Sequence, residues 1–301
     1  MFNRCKMLFG LAAAGALCAG LGMAQNSDPA SAVPGTLNYL EGSASIDGRP
    51  VTSNSAGRLR LEPNQVLETS QGRAEVLLTP GVFLRLNNNS AVRMVSPDLT
   101  NTSVEVLRGE AMLEVAELFK ENNLRVVVKG TSTRLAKGGL YNFNADHSQI
   151  EVYEGEAFVT AGDHQVKVTK DHEAPLVGVV KAKKFDKDHA RDSLYAWSSL
   201  RSQYIAEASV QSAKTLVAGG PGWWYGAGWY WNPWWDMYAF VPGYGVFYSP
   251  FGYPFFSPAF VYAAPYYGFR HGGFVGGARG FAAAPHFSGG GFAGGRGGGH
   301  R

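Results

Sequence analysis

Beyond its first 24 residues the chain has no cysteine; Cys5 and Cys18 both lie in an apolar amino-terminal run. This absence excludes disulfides and thiolate metal sites from the mature chain, so any exported domain must be held by its core. Charge is scarce as well. The formal net charge of +3 divides into +2 in the leader, +3 after Gly219 and −2 between them, too little to imply nucleic acid or an anionic bilayer as partner. No apolar run after Met23 is long enough to span a membrane. Catalytic signatures are missing too: there is no G-x-S-x-G, no H-E-x-x-H, and Gly130-Thr131-Ser132-Thr133 lacks the lysine and spacing of a phosphate loop. His147, His164, His172 and His189 sit in polar, loop-like segments, and Glu110, Glu154 and Glu156 accompany turn glycines. We therefore expect no enzyme, and assign no catalytic, cofactor-binding or metal-binding residue.

What is present begins with a leader. Arg4 and Lys6 precede the apolar run Met7 to Met23, and Gly22-Met23-Ala24 before Gln25 has the small-x-small form of a cleavage site, so 1–24 reads as a signal peptide. Leu17 before Cys18 argues against lipidation. Left uncleaved, the run would serve as a short membrane anchor. The expected location is the periplasm or outer envelope, or the medium.

A ten-residue phrase then recurs three times: LNYLEGSASI from Leu37, VEVLRGEAML from Val104 and IEVYEGEAFV from Ile150. Alternation on both sides of a glycine predicts three hairpins, with Gly42, Gly109 and Gly155 in the turns and Ala44, Ala111 and Ala157 close-packed beside them. Between the copies lie short apolar-alternating runs such as Ala74 to Leu78, Phe83 to Leu86, Ala91 to Val95, Arg125 to Lys129, Tyr141 to Asn144 and Gln165 to Val168, punctuated by Pro, Gly and Asn. The class is all-β, as a sandwich, barrel or stacked solenoid. Within about 35–170 only Ala111 to Glu121 has helical periodicity, and its first half belongs to the repeated phrase, so we read strand to about Val115 and a loop or short turn beyond.

The order GRAEVLLTPGVFLRLNNNSAVRM, VEVLRGEAMLEV, RVVVKGTSTRLAKGGLYNFN and IEVYEGEAFV resembles the periplasmic FecR domain, over about 35–170. The resemblance implies structural turns at Gly130 and Thr131 as well as at the three repeated glycines. It also implies a periplasmic module of regulators that take a signal from an outer-membrane transporter and control a sigma factor through an amino-terminal cytoplasmic domain. Here only six residues precede the apolar leader, so direct control by that route is not expected. Thr133 and Arg134 stand where the family usually has a bulky apolar residue, so that hairpin is expected to be less buried than in the family.

After a mixed-charge linker, 171–188, a helix is predicted over 189–216, with Asp186 or Asp188 as cap. Leu194, Trp197, Leu200, Tyr204, Ile205 and Ala208 fall on one stripe while Asp192, Arg201, Glu207 and Lys214 lie elsewhere; Leu194, Trp197 and Ile205 would dock it on the β domain. From 220 to 301 the composition becomes glycine, proline and aromatics. Six of the seven tryptophans, Trp223, Trp224, Trp229, Trp231, Trp234 and Trp235, crowd together there. We expect no cooperative core in this tail, but adhesion or glycan stacking by those rings. Arg270, Arg279 and Arg296 are too sparse for an RGG-type nucleic-acid tail, and His271, His286 and His300 have no metal-site spacing.

Together these features predict a non-enzymatic exported binding or scaffold module with an adhesive tail. The partner would be an envelope protein or cell-wall polymer, with self-association through the tail and neither nucleic acid nor a membrane span. An envelope signalling component related to FecR is the alternative, and a glycan-binding or cell-wall protein using the tryptophans the second.

Overall fold

The computed structural model describes residues 32–188, 190–220 and 226–262. The leader, His189, Trp223, Trp224 and 263–301 lie outside the described residues. The chain opens with β1 (Leu37–Ile46), β2 (Arg49–Val51), β3 (Val66–Leu77), β4 (Val82–Leu86), β5 (Ala91–Asp98), β6 (Asn101–Arg108) and β7 (Glu110–Val115). There follow β8 (Arg125–Val128), β9 (Thr131–Leu135), β10 (Gly139–Asn144), β11 (Gln149–Glu154), β12 (Glu156–Ala161), β13 (His164–Thr169), β14 (His172–Pro175) and β15 (Lys183–Lys184). These fifteen strands form one open sheet whose order ends at β13 and at β15, so the all-β class holds without barrel closure. Among the described residues only β6 and β8 pair in parallel.

The repeated phrase builds corners, where hairpins were expected. β6 pairs with β5 and β8 whereas β7 pairs with β4 and β10, so the strands flanking Gly109 never pair with each other. The same holds at Gly155: β11 pairs with β10 and β14, and β12 with β9 and β13. β1 runs unbroken through Gly42, which lies opposite Gly72 of β3 beside a register shift. The physical reason is chain length. Reversal requires at least two loop residues, whereas one glycine at positive φ (71° at Gly42, 102° at Gly155) only redirects a strand. Close approach enforces glycine at the first corner, since a Cβ on Gly42 would lie 2.0 Å from the Gln71 carbonyl oxygen. A true two-residue hairpin does form at Lys129-Gly130, both at positive φ, joining β8 to β9.

The corners divide the sheet into two leaves. One leaf holds β4, β7, β10, β11, β14 and β15, and the other β5, β6, β8, β9, β12 and β13. β3 belongs to both, pairing through Ala74–Leu77 with β4 and through Val66–Glu68 with β5. Between the leaves lies the main core, with Val76, Leu84, Leu113, Phe143 and Val152 from one side and Val92, Val104, Val126 and Val159 from the other. Of the two residues standing in place of a bulky apolar one, Thr133 is fully buried despite its polarity and Arg134 is half-buried; register in β9 points the Thr133 side chain inward whatever its type. The 171–188 segment is likewise more than a linker, because β14 extends the first leaf beside β11.

The outer face of the first leaf is covered by α1 (Ser193–Ala218) and two hairpins, β16 (Gly228–Asn232) with β17 (Met237–Val241) and β18 (Val246–Tyr248) with β19 (Pro254–Phe256). Residues 226–262 thus depart from the expectation of a coreless tail. Trp229, Phe240 and Phe255 pack on Leu77 and Phe83 of the sheet and Ile205 of the helix, with Phe83 edge-on to Trp229 at 4.9 Å. Proline and glycine limit these strands to three to five residues, but the apolar sheet face supplies the surface that so short a hairpin needs.

Candidate functional site

The covered face and the open edge of the sheet are the two places where chemistry concentrates. On the covered face, register sets charged side chains in a row beneath α1. Glu75 stands directly opposite Arg85, and Glu114 is one diagonal step away on β7. Arg85 donates from Nε to Glu75 Oε2 at 2.8 Å and from Nη1 to Glu114 Oε2 at 2.5 Å. The helix closes the row: Arg201 Nη2 donates to Glu75 Oε1 at 2.9 Å, and Ser202 Oγ to Glu114 Oε1 at 2.7 Å. The β16–β17 hairpin joins through Asn38, whose Nδ2 donates to Glu75 and to the Tyr238 carbonyl while its Oδ1 accepts from the Tyr238 amide at 2.8 Å.

Two carboxylates and two guanidiniums balance in charge, and the side chains of Glu75, Arg85 and Glu114 are wholly buried. Burial by itself would raise the Glu75 carboxyl, but Arg201 and Arg85 outweigh it and hold the group down at about 2. Burial would lower the Arg85 guanidinium, yet Glu114 and Glu75 hold it above its ordinary value. Sealed from water, this row offers no reacting atom to a substrate and acts as a polar latch between sheet and cover. A second polar group lies nearer the start of α1. Asn142 Nδ2 donates to Glu110 Oε1 at 2.7 Å and to Glu151 Oε2 at 3.2 Å, and burial pushes both carboxyls up. Among the described residues no set of three or more His, Cys, Asp or Glu is placed to hold a metal ion.

The helix that carries the latch differs from its sequence reading. Leu194, Trp197, Ile205 and Ala208 do face the sheet, but Leu200 and Tyr204 are exposed, and the inward face is completed by Ser198, Arg201, Ser202, Ser209 and Ser212. Arg201 turns inward because Glu75 awaits it, a partner 126 residues away. The cap is Asp192, whose Oδ1 accepts from the Tyr195 amide at 2.9 Å, in place of Asp186 or Asp188. Of the tryptophans proposed for adhesion, Trp229 is buried, Trp231 and Trp235 are half-buried, and Trp234 is 88% exposed.

At the open edge the expected turn residues Gly130 and Thr131 line a groove of about 750 Å³. Thr160, His164 and Val166 form another wall, and Leu176 to Val180 the third. Thr131 Oγ1 donates to the Leu176 carbonyl at 2.5 Å, which ties the strand after the hairpin to that segment. β13 ends the strand order, so beyond β12 its other edge has no strand partner among the described residues. Val177 and Val179 beside it are 54% and 86% exposed. No sequence signal marked these valines, because their exposure depends on where β14 leaves the chain. Among the described residues no helix is long and apolar enough to cross a membrane.

The family model described as FecR protein matches residues 65–158. No curated protein matches the chain. Two crystal structures of a candidate anti-sigma factor from Parabacteroides distasonis ATCC 8503 are similar. The 2.50 Å structure is 18% identical, with 42% of this chain and 63% of the other covered and a TM-score of 0.36. The 1.65 Å structure is 17% identical, with 44% and 64% covered and a TM-score of 0.37. This chain thus spans less than two thirds of either. The matched segment runs from the start of β3 into β12 and contains the corners at Gly109 and Gly155, while α1 and the aromatic hairpins lie beyond it. Residues 65–158 are a FecR domain, to which this chain adds a helical and aromatic cover.

Proposed function

We propose that this chain is an exported, non-enzymatic component of envelope signalling, and that its FecR domain receives a protein partner along the open edge beside β13. The family match supports signalling over the scaffold and adhesive readings. The packing of Trp229, Phe240 and Phe255 against the sheet also takes those rings out of any adhesive surface. The observation that carries the choice of surface is the groove at the end of the strand order, where a strand edge unpaired among the described residues meets exposed Val177 and Val179.

The mechanism is strand addition. A partner segment laid along β13 satisfies its free backbone groups, and the two valines select the side chains that it carries. The latch beneath α1 meanwhile keeps the opposite face of the first leaf closed, so that recognition is confined to one side. The leader supplies export.

The test is photo-crosslinking in living cells from a reactive amino acid at position 179, with position 99, an exposed site on the β5–β6 loop, as control. A discrete adduct with one envelope protein from 179 alone is expected. Adducts of the same pattern from both positions, or none from 179, would refute the assigned surface.

A further inference from the structure

The outer side of the cover carries a feature that signalling does not use. The hairpin β16–β17 closes through Pro233-Trp234-Trp235-Asp236, with Asn232 and Met237 paired at its base. This loop is fixed in place. Asn232 is buried, its Nδ2 donating to the Ala208 carbonyl at 3.0 Å and to Ser212 Oγ at 3.3 Å, and its Oδ1 accepts from the Trp234 amide at 3.1 Å. Asp236 closes the turn at φ 46°. A tryptophan ring 88% exposed on so constrained a loop does nothing for the fold, and its rigidity lowers the entropy lost on binding.

The fold also supplies what the sequence alone lacked beside the tryptophans. Trp235 lies along α1, its ring 5.7 Å from that of Tyr204 and tilted by 34°, with Nε1 donating to Gln211 Oε1 at 3.1 Å. Leu200, Gln203, Tyr204, Glu207, Gln211 and Lys214 make one outward stripe at steps of three, four and one, and Gln203 Nε2 donates to Glu207 Oε1 at 3.2 Å. Aromatic faces therefore adjoin a row of amides and a carboxylate. Lys214 is the single cation of the stripe, and Glu207 balances it, which suits neither a polyanion nor an anionic bilayer.

We propose that the Trp234-Trp235 loop and the outward stripe of α1 form a carbohydrate platform for a β-linked pyranose chain. The chemistry of such a chain matches in two respects. Its equatorial linkages leave flat C–H faces whose partial positive charge meets the electron-rich ring faces of Trp234 and Tyr204. Its rim of hydroxyls needs groups that both donate and accept, as the Gln203 and Gln211 amides do. The site faces away from the sheet and is independent of the β13 edge, so failure of either leaves the other standing.

The experiment is calorimetric titration of the full mature chain with cellohexaose, with chitohexaose and with glycan strands released from peptidoglycan, alongside phosphatidylcholine vesicles. Saturable binding to at least one glycan is expected, with the preferred one naming the source. Trp234→Ala should weaken it by about tenfold or more at an unchanged thermal midpoint, because that ring supports no packing. Gln211→Ala should weaken it by a smaller factor, about threefold. Absence of binding to all three glycans, glycan affinity indifferent to Trp234→Ala, or Trp234-dependent binding to vesicles alone would each overturn the proposal.

Discussion

Replacing Arg201 by methionine tests the latch that joins cover and sheet. The substitution keeps an unbranched stem over Tyr39, whose ring centroid lies 4.0 Å from the guanidinium carbon, and removes one of two positive charges from a closed cluster. Glu75 and Glu114 would then share Arg85 alone, leaving one buried negative charge uncompensated. Holding Glu75 at about 2, against an ordinary 4.5, is equivalent to about 3 kcal/mol, shared between Arg201 and Arg85. Loss of one partner of a buried pair costs about 3–5 kcal/mol, so we expect that range near pH 7. The sign follows from linkage. A depressed folded pKa gives stability that is present above the unfolded value of 4.5 and lost as pH falls toward about 2. In Arg201→Met the Glu75 carboxyl titrates higher, protonation relieves the excess charge, and the cost should shrink to below about 2 kcal/mol near pH 4. Urea denaturation followed by tryptophan fluorescence reads this directly, with buried Trp197 and Trp229 as reporters. Arg201→Met/Glu75→Gln should recover at least about 2 kcal/mol of coupling. A cost below about 1 kcal/mol that is flat between these pH values would mean that the pair behaves like a surface salt bridge, and would refute the latch.

Two further predictions concern a corner and a carboxyl group. At Gly155 a Cβ would lie 2.1 Å from the Tyr141 hydroxyl, which accepts from the Glu156 amide, and φ is 102°. Gly155→Ala should therefore cost about 3 kcal/mol or more in the same denaturation assay, whereas a native midpoint would mean that the corner tolerates a side chain. Burial pushes the Glu117 carboxyl up to about 7, and its Oε2 has no hydrogen-bond partner. The folded state thus keeps a proton that the unfolded chain releases near 4.5, so stability falls as pH rises from about 4.5 to about 7. Glu117→Gln should remove about 1 kcal/mol of that fall, a figure discounted for partial exposure, as measured by thermal midpoints on either side of the window.

The β class and the order of its motifs were legible because half-buried strands write a period of two into the chain. The corners were not. A glycine within alternating residues looks the same whether the flanking strands pair with each other or with distant ones, and only partners such as β4 and β10 for β7 decide which. The helix was readable from its periodicity, but its face was not. Buried serines carry no hydrophobic signal, and Arg201 is drawn inward by a glutamate on β3. The inward direction of Thr133 was equally hidden, since strand register fixes it more firmly than the residue's own polarity. The aromatic segment misled through composition. Proline and glycine report short elements, and whether those elements pack depends on an apolar surface such as Leu77 and Phe83, encoded more than a hundred residues earlier.

The most direct test of the signalling account is a transcript profile comparing the native strain, a deletion of the gene and a strain whose chromosomal copy carries Val177→Lys and Val179→Lys. The account predicts that deletion shifts a defined set of transcripts and that the double variant, at native protein level, reproduces the shift. A deletion profile that the double variant leaves wholly at its native state would contradict recognition at the β13 edge.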